Sequence, residues 1–415
     1  MSLPLLRPFT GLRPLPEYAA SVAAPPYDVL DSEEARALAA GKPWSFLHIS
    51  KPEIDFPPGT SPYADEVYAR GAENLKRLIK ANILTRESTP CFYAYRLIMG
   101  DHVQTGLVGA ASVAAYESNR IRRHEFTRPD KEDDRVRQIE AVNAQTGPVL
   151  IAHPEHPDLT SVLKTVTASP PAFALTAHDG IGHALWIISD QVLVNTVIHA
   201  YDSIAAVYIA DGHHRSAAAA RVAAARRSLS IEFAPEAAHE SFLVVSFPIS
   251  EMKIFDYNRV VRDLNGQDRV GFLAALTTAF AIEVCDGQAR PRTAREFGLY
   301  LPGQWYRLSL RQPLPPASEP VARLDVSLLS DRLLGPVLGI TDLRKDKRID
   351  FVGGKRGLSE LERRVDSGEM AAAFALYPTQ MEDLIAVADA NEVMPPKSTW
   401  FEPKLADGMV SNPLV

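Results

Sequence analysis

Two stretches of this 415-residue chain set side by side residue types that do chemistry together. The first runs Tyr208-Ile209-Ala210-Asp211-Gly212-His213-His214-Arg215, followed by Ser216 and four alanines. A carboxylate, a glycine, two imidazoles and a guanidinium stand where a short apolar run, Ile204 to Ile209, gives way to a strongly helix-forming segment. That order predicts strand, turn, helix. The start of a helix offers unbonded N–H groups and the positive end of its dipole, so it favours anions. A phosphate is the ligand this arrangement suits. Gly212 would let it approach the backbone, Arg215 would bind its oxygens in pairs, and His213 and His214 would add donors near neutral pH. The plainer reading makes Asp211 a helix cap and the histidines surface residues; the run of polar groups directly after a buried strand favours function. Neighbouring residues on a helix point about 100° apart, so His213 and His214 cannot share one ion, and a histidine-based zinc site is not expected. Asp211 is the candidate to help hold Mg2+ bridged to a bound phosphate.

The second stretch is Arg122-Arg123-His124-Glu125-Phe126-Thr127-Arg128, with a charged run from Asp130 to Arg135 behind it. By itself it reads as a solvated loop entering a helix. Beside an anion seat, Glu125 becomes a candidate general base toward a hydroxyl, with His124, His214 or an arginine acting on the phosphate in transfer. A third segment, Val393 to Lys404, carries Lys397, Ser398, Thr399 and Lys404 on a proline-stiffened loop. It either closes over an anion or packs as a polar tail behind Trp400 and Phe401. The chain contains no GxxxxGK[ST] loop, GxGxxG turn or GxSxG elbow, the marks of common nucleotide-binding and hydrolase folds.

These residues need elements to position them, and helical and strand-like segments alternate along the chain. Helices are expected over Ser32 to Ala40, opened by Asp31 with Glu34 three residues on, and over Tyr63 to Ala81, Arg135 to Thr146, Val192 to His199 and from His213 onward. A further helix over Thr379 to Ala390 carries a Thr379/Glu382 capping pattern. Strands are expected at Cys91 to Leu97 and Thr105 to Val113, as a hairpin around Gly100-Asp101, and at Val149 to Ala152, Ala184 to Ile188, Phe242 to Phe247 and Ala371 to Leu376. The proline clusters at 25–26, 57–58, 170–171, 313–316 and 395–396 mark loops. The expected fold class is mixed α+β, in three parts: 1–120, 121–262 with both motifs, and 263–415.

Composition narrows the partners. With 46% hydrophobic and 23% charged residues the chain is globular, neither disordered nor fibrous. Its 51 acidic against 44 basic residues, a net charge of −7, give no general field for polyanions, so nucleic acid is not an expected partner. Two cysteines are too few for a disulfide framework. No signal-peptide pattern and no run of about 18 apolar residues is present, so the expectation is a cytoplasmic protein without a membrane partner. Oligomeric state is not readable.

Taken in order, Ala24-Pro25-Pro26-Tyr27-Asp28-Val29, Phe46 to Ile49 with Lys51-Pro52-Glu53, His124-Glu125, Ala210 to Arg215 and Met394 to Thr399 resemble the successive signatures of the DUF1015 family. The His-Glu pair followed by the Asp-Gly-His-His-Arg turn is also similar to the ParB/sulfiredoxin-like fold of free serine kinases. That resemblance implies a nucleotide-binding core with inserted and C-terminal α+β regions. It also implies phosphotransfer to serine or from phosphoserine, with ATP, ADP or pyrophosphate and Mg2+ at Asp211, Gly212, His213, His214 and Arg215. Glu125 would be the base, and Lys397, Ser398 and Thr399 would hold the substrate. The rival implication is a ParB-like switch that binds nucleotide without turning it over. The long spacing from Glu125 to Asp211 implies an insertion of about one small subdomain.

Overall fold

The structure is a computed structural model that describes residues 4–229 and 234–414. It is mixed α+β, as expected, and divides into two units: residues 1–252 with 403–415, and residues 253–402. This division differs from the three-part expectation because one sheet takes strands from both sides of residue 120.

That sheet has nine strands. They are β1 (Leu6–Arg7), β2 (Phe92–Met99), β3 (His102–Ser112), β4 (Ile121–Arg122), β5 (Val149–His153), β6 (Phe173–Thr176), β7 (Gly182–Ile188), β8 (Val207–Asp211) and β9 (Ser241–Pro248). Their order is β4-β8-β5-β9-β3-β2-β7-β6, with β1 pairing β3 beyond the end of β2. β2 and β3 form the expected hairpin, Met99 opposite His102. Most pairs are antiparallel. Two are parallel: β5 with β9, and β4 with β8, the pair on which the site depends. β8 and β5 read as continuous apolar runs because nearly every residue in them is buried. The segment between Glu125 and Asp211 is not a separate insertion: it supplies β5 beside β8 and the opposite edge, β7 and β6.

The helices of this unit are α1 (Ser32–Ala39), α2 (Asp65–Lys80), α3 (Pro129–Val142), α4 (Pro157–Thr167), α5 (Gln191–Ser203) and α6 (His213–Leu229). α1 opens with the expected capping box, Asp31 accepting from the Glu34 N–H and the Glu34 side chain returning to the Asp31 N–H. α3 starts at Pro129, six residues before the expected start. Proline suits the first helical turn, and the acidic residues that read as a solvated loop favour a helix N-terminus. The alanines of α6 serve two surfaces: Ala219 and Ala223 join the sheet core with Val149, Val207 and Ile209, while Ala218 and Val222 meet Ile139 of α3. Small side chains let one helix approach both. Among the described residues, no helix is long and apolar enough to cross a membrane.

The second unit is built on an antiparallel sheet of β10 (Tyr257–Val261), β11 (Phe280–Cys285), β12 (Glu296–Leu301), β13 (Gln304–Leu310), β14 (Ile349–Gly353) and β15 (Ala372–Leu376), in the order β11-β13-β12-β15-β10-β14. Leu361 and Val365 of α7 (Leu358–Asp366) pack on Val260, Ala373 and Ala375. α8 (Met381–Asp389) is capped by Gln380 and Asp383 rather than by Thr379 and Glu382, because the Thr379 hydroxyl donates instead to the Ser398 carbonyl.

Candidate functional site

β4 and β8 lie side by side and parallel, Val207 opposite Ile121 and Tyr208 opposite Arg122, so the chain leaves both strands at the same sheet end. From β4 it runs into His124 and Glu125; from β8 into Asp211, Gly212 and α6. This is why two motifs 86 positions apart meet, and ligands in sheets of this kind gather outside the carboxyl ends of parallel strands.

The turn between β8 and α6 requires its glycine. Gly212 has φ of +97°, and a Cβ there would come 3.3 Å from the Val149 Cα. Its carbonyl accepts from the N–H groups of Arg215 and Ser216, at 3.0 and 3.1 Å. The N–H groups of His213 and His214 thus lie ahead of the first helical donors, where a helix presents its positive end.

The side chains divide between interior and opening. His213 turns inward onto His124, ring centroids 4.5 Å apart and planes at 86°. Both are almost wholly buried, at 4% and 1% exposure, and neither ring nitrogen of either residue makes a well-formed hydrogen bond among the described residues. Burial lowers the His124 pKa to about 4 and pushes that of His213 well down, so both imidazoles are neutral at pH 7. Glu125 is exposed, and its carboxylate lies within 4.8 Å of ring nitrogens of both histidines. His214 faces the other way, accepting the Arg128 N–H at 3.1 Å; burial and then Arg128 lower its pKa.

Arg215 is buried at 8% exposure, its guanidinium donating to the Pro148 carbonyl and to Asp28 at 3.0 Å, with the Tyr27 ring centroid 5.7 Å away. Desolvation works against its charge, but Asp28 and Asp211 overcome this and raise its pKa. Asp211 is paired with Lys404, whose ammonium donates to its carboxylate at 3.0 Å. Burial opposes the charge on Asp211, yet Lys404 and then Arg215 hold its carboxyl well below the ordinary range. Behind Arg215, Arg135 stacks on the Tyr27 ring, 3.8 Å from its centroid, and Asp134 bridges Arg135 to the Tyr68 hydroxyl. Tyr27, Arg135, Gln138, Gln145, Arg215 and Asp407 line a cavity of about 30 Å3 there, room for water rather than for a nucleotide.

The structure therefore brings together His124, Glu125, Asp211, Gly212, His213, His214 and Arg215. Lys397, Ser398 and Thr399 belong to the second unit. There the Lys397 carbonyl accepts from Arg259 at 2.9 Å, and the Ser398 hydroxyl donates to the Pro395 carbonyl at 2.7 Å. Sequence reasoning singled out no role for Tyr27, Asp28, Arg135 or Asp407, although Tyr27 and Asp28 sit in one of the quoted signatures. Lys404 stood in the third segment, and its position on Asp211 is a feature only the fold supplies.

Among curated proteins no relative matches the chain. Among solved structures it is similar to a free serine kinase in complex with AMP, at 12% identity and TM-score 0.32, covering 74% of this chain and 87% of the other. SbnI with a C-terminal truncation, from Staphylococcus aureus, is similar at 11% identity and TM-score 0.37, with the same coverage. A conserved hypothetical protein from Pyrococcus furiosus is similar at 13% identity and TM-score 0.33, covering 72% and 92%. All three likenesses are distant. At the level of sequence, a family model matches residues 6–327, more than half of the chain, and the chain belongs to that family, DUF1015, described as a protein of unknown function.

Proposed function

We propose that this protein is a phosphotransferase acting on the hydroxyl of free serine, or running the same transfer from phosphoserine, with the phosphates of a nucleotide or of pyrophosphate seated at Asp211 to Arg215. The observation that carries the reading is the convergence of Glu125 with the start of α6: its carboxylate lies within 4.8 Å of the His213 ring, beside the helix end that attracts phosphate. Toward phosphoserine, Glu125 takes the hydroxyl proton as the serine oxygen bonds to the terminal phosphorus. The bond from phosphorus to the leaving oxygen breaks, and that oxygen keeps the electron pair, facing the N–H groups of His213 and His214. Toward serine, an oxygen of water or of an acceptor phosphate bonds to the phosphorus of phosphoserine while the bond from that phosphorus to the serine oxygen breaks; the serine oxygen keeps the electron pair and takes a proton from the Glu125 carboxyl, which has held one beforehand or has drawn it from the attacking water. Arg215 acts as a positive charge fixed by Asp28 and the Pro148 carbonyl, and His214 flanks the opening. His124, neutral and buried, supports His213 rather than donating protons.

Mg2+ spreads charge over di- and triphosphates when it accompanies them. Lys404 neutralises one oxygen of the Asp211 carboxylate, and no step is assigned to the ion. The test is incubation with serine and ATP, ADP or pyrophosphate, and separately with phosphoserine, in Mg2+ buffer, reading serine, phosphoserine and phosphate by mass spectrometry. Transfer that Glu125→Gln slows without weakening nucleotide binding supports the proposal. Tight nucleotide binding with no turnover of either amino acid by the wild type would replace it with a nucleotide-binding switch.

A further inference from the structure

We infer that His124, His213 and Glu125 form a site for one divalent transition metal ion of the Zn2+ or Co2+ class. The expectation against histidine-based metal binding concerned His213 with His214, which do diverge. The fold supplies a different partner, His124, delivered by the parallel neighbour of the strand that ends at Asp211. One ligand atom from each of His124, His213 and Glu125 lies within 4.8 Å of the other two. Bonds of about 2.1 Å to a tetrahedral ion would draw such atoms to roughly 3.4 Å, a change within reach of side-chain rotation.

One further feature points the same way. Four buried imidazole nitrogens without well-formed hydrogen bonds are unusual, since buried polar atoms are nearly always satisfied, and a metal ion would satisfy one on each ring. Two nitrogens and one carboxylate suit Zn2+, Co2+, Mn2+ or Fe2+, and do not suit Mg2+ or Ca2+, which take oxygen ligands. Exposure of Glu125 leaves the remaining positions open toward the mouth of the site.

This inference shares Glu125 with the phosphotransferase proposal, and one consequence rests on that proposal. A metal held by Glu125 removes the base, so Zn2+ inhibits transfer, and Mg2+ does not imitate it. The site itself is tested without turnover, by titrating the full chain with Co2+ and following the visible absorption of a four- or five-coordinate ion, then displacing it with Zn2+. One ion per chain is expected. His124→Ala and His213→Ala each weaken binding by roughly 100-fold or more, Glu125→Gln weakens it and changes the spectrum, and His214→Ala leaves both unchanged. Should the alanine variants lose their fold, as judged by circular dichroism, His124→Gln and Glu125→Gln carry the same expectation. Absence of a Co2+ spectrum in the wild type, or unchanged affinity in a folded His124 or His213 variant, overturns the inference. So does displacement of Co2+ by equimolar Mg2+. A chain that binds Zn2+ but transfers no phosphate would sink only the phosphotransferase proposal, and the reverse outcome only this one.

Discussion

Replacing Asp407 with Asn should flatten the pH dependence of stability in the first unit. The Asp407 side chain is 1% exposed, and one of its oxygens has no hydrogen-bond partner among the described residues. Burial, with Asp28 adding to it and Arg215 opposing it, raises its pKa from 3.8 to about 7. A carboxyl that holds its proton more tightly when folded stabilises the fold fully below the unfolded pKa. That contribution is lost as pH climbs from about 4 through about 7. Three pKa units at about 1.4 kcal/mol each set a ceiling of about 4 kcal/mol on the loss. The main-chain bridge from Asp407 to Ala24, at 2.9 and 3.1 Å, does not involve the side chain and survives the substitution. Denaturant titration at pH 4.5, 6, 7 and 8, read by pulse-labelled hydrogen exchange in β5 and β8, isolates this unit. The wild type should lose about 2 to 4 kcal/mol across that range relative to Asp407→Asn, and the variant should be the more stable at pH 8. Parallel profiles would show that Asp407 titrates normally and that the buried ionic arrangement around Arg215 is wrongly described.

Other outcomes follow from the same geometry. Glu125→Gln should lower serine phosphotransfer by about 10^2 to 10^4 in kcat, with the nucleotide-induced thermal shift retained. Arg227→Met should cost about 1 to 3 kcal/mol in denaturant titration, because it removes the guanidinium bonded at 2.5 to 3.0 Å to Glu240, 2% exposed, and leaves that carboxylate the weaker contact with His239 at 3.7 Å. Asp190→Ala should cost about 1 kcal/mol by removing the cap of α5, where the carboxylate accepts from the N–H groups of Val192 and Leu193 at 2.9 and 3.1 Å.

Local structure was largely legible. Asp31 with Glu34 announced α1, Gly100-Asp101 announced the β2–β3 hairpin, and the apolar run before Asp211 announced a buried strand ahead of α6, because each signal is complete within a few residues. The start of α3 was not, since a charge run reads as loop unless the proline ahead of it is recognised as a first-turn residue. Nor was the cap of α8, where Thr379 is drawn away by a carbonyl 19 residues along the chain. Partners distant in sequence were the least legible. The meeting of His124 with His213, and of Lys404 with Asp211, depends on strand order, and nothing in either segment encodes which strand lies beside it. The burial of Asp407 is equally a property of the assembled unit: from sequence it is an ordinary surface charge.

The seat for phosphate at the start of α6 is tested most directly by calorimetric titration of ADP and of pyrophosphate into the wild type and Gly212→Ala, with Asp190→Ala as a control of comparable stability loss. Saturable 1:1 binding by the wild type and by Asp190→Ala, and its loss in Gly212→Ala, is the predicted result, because a Cβ at φ of +97° against Val149 displaces the turn. Wild-type affinity in a folded Gly212→Ala protein, or no binding of either ligand by the wild type, would contradict it.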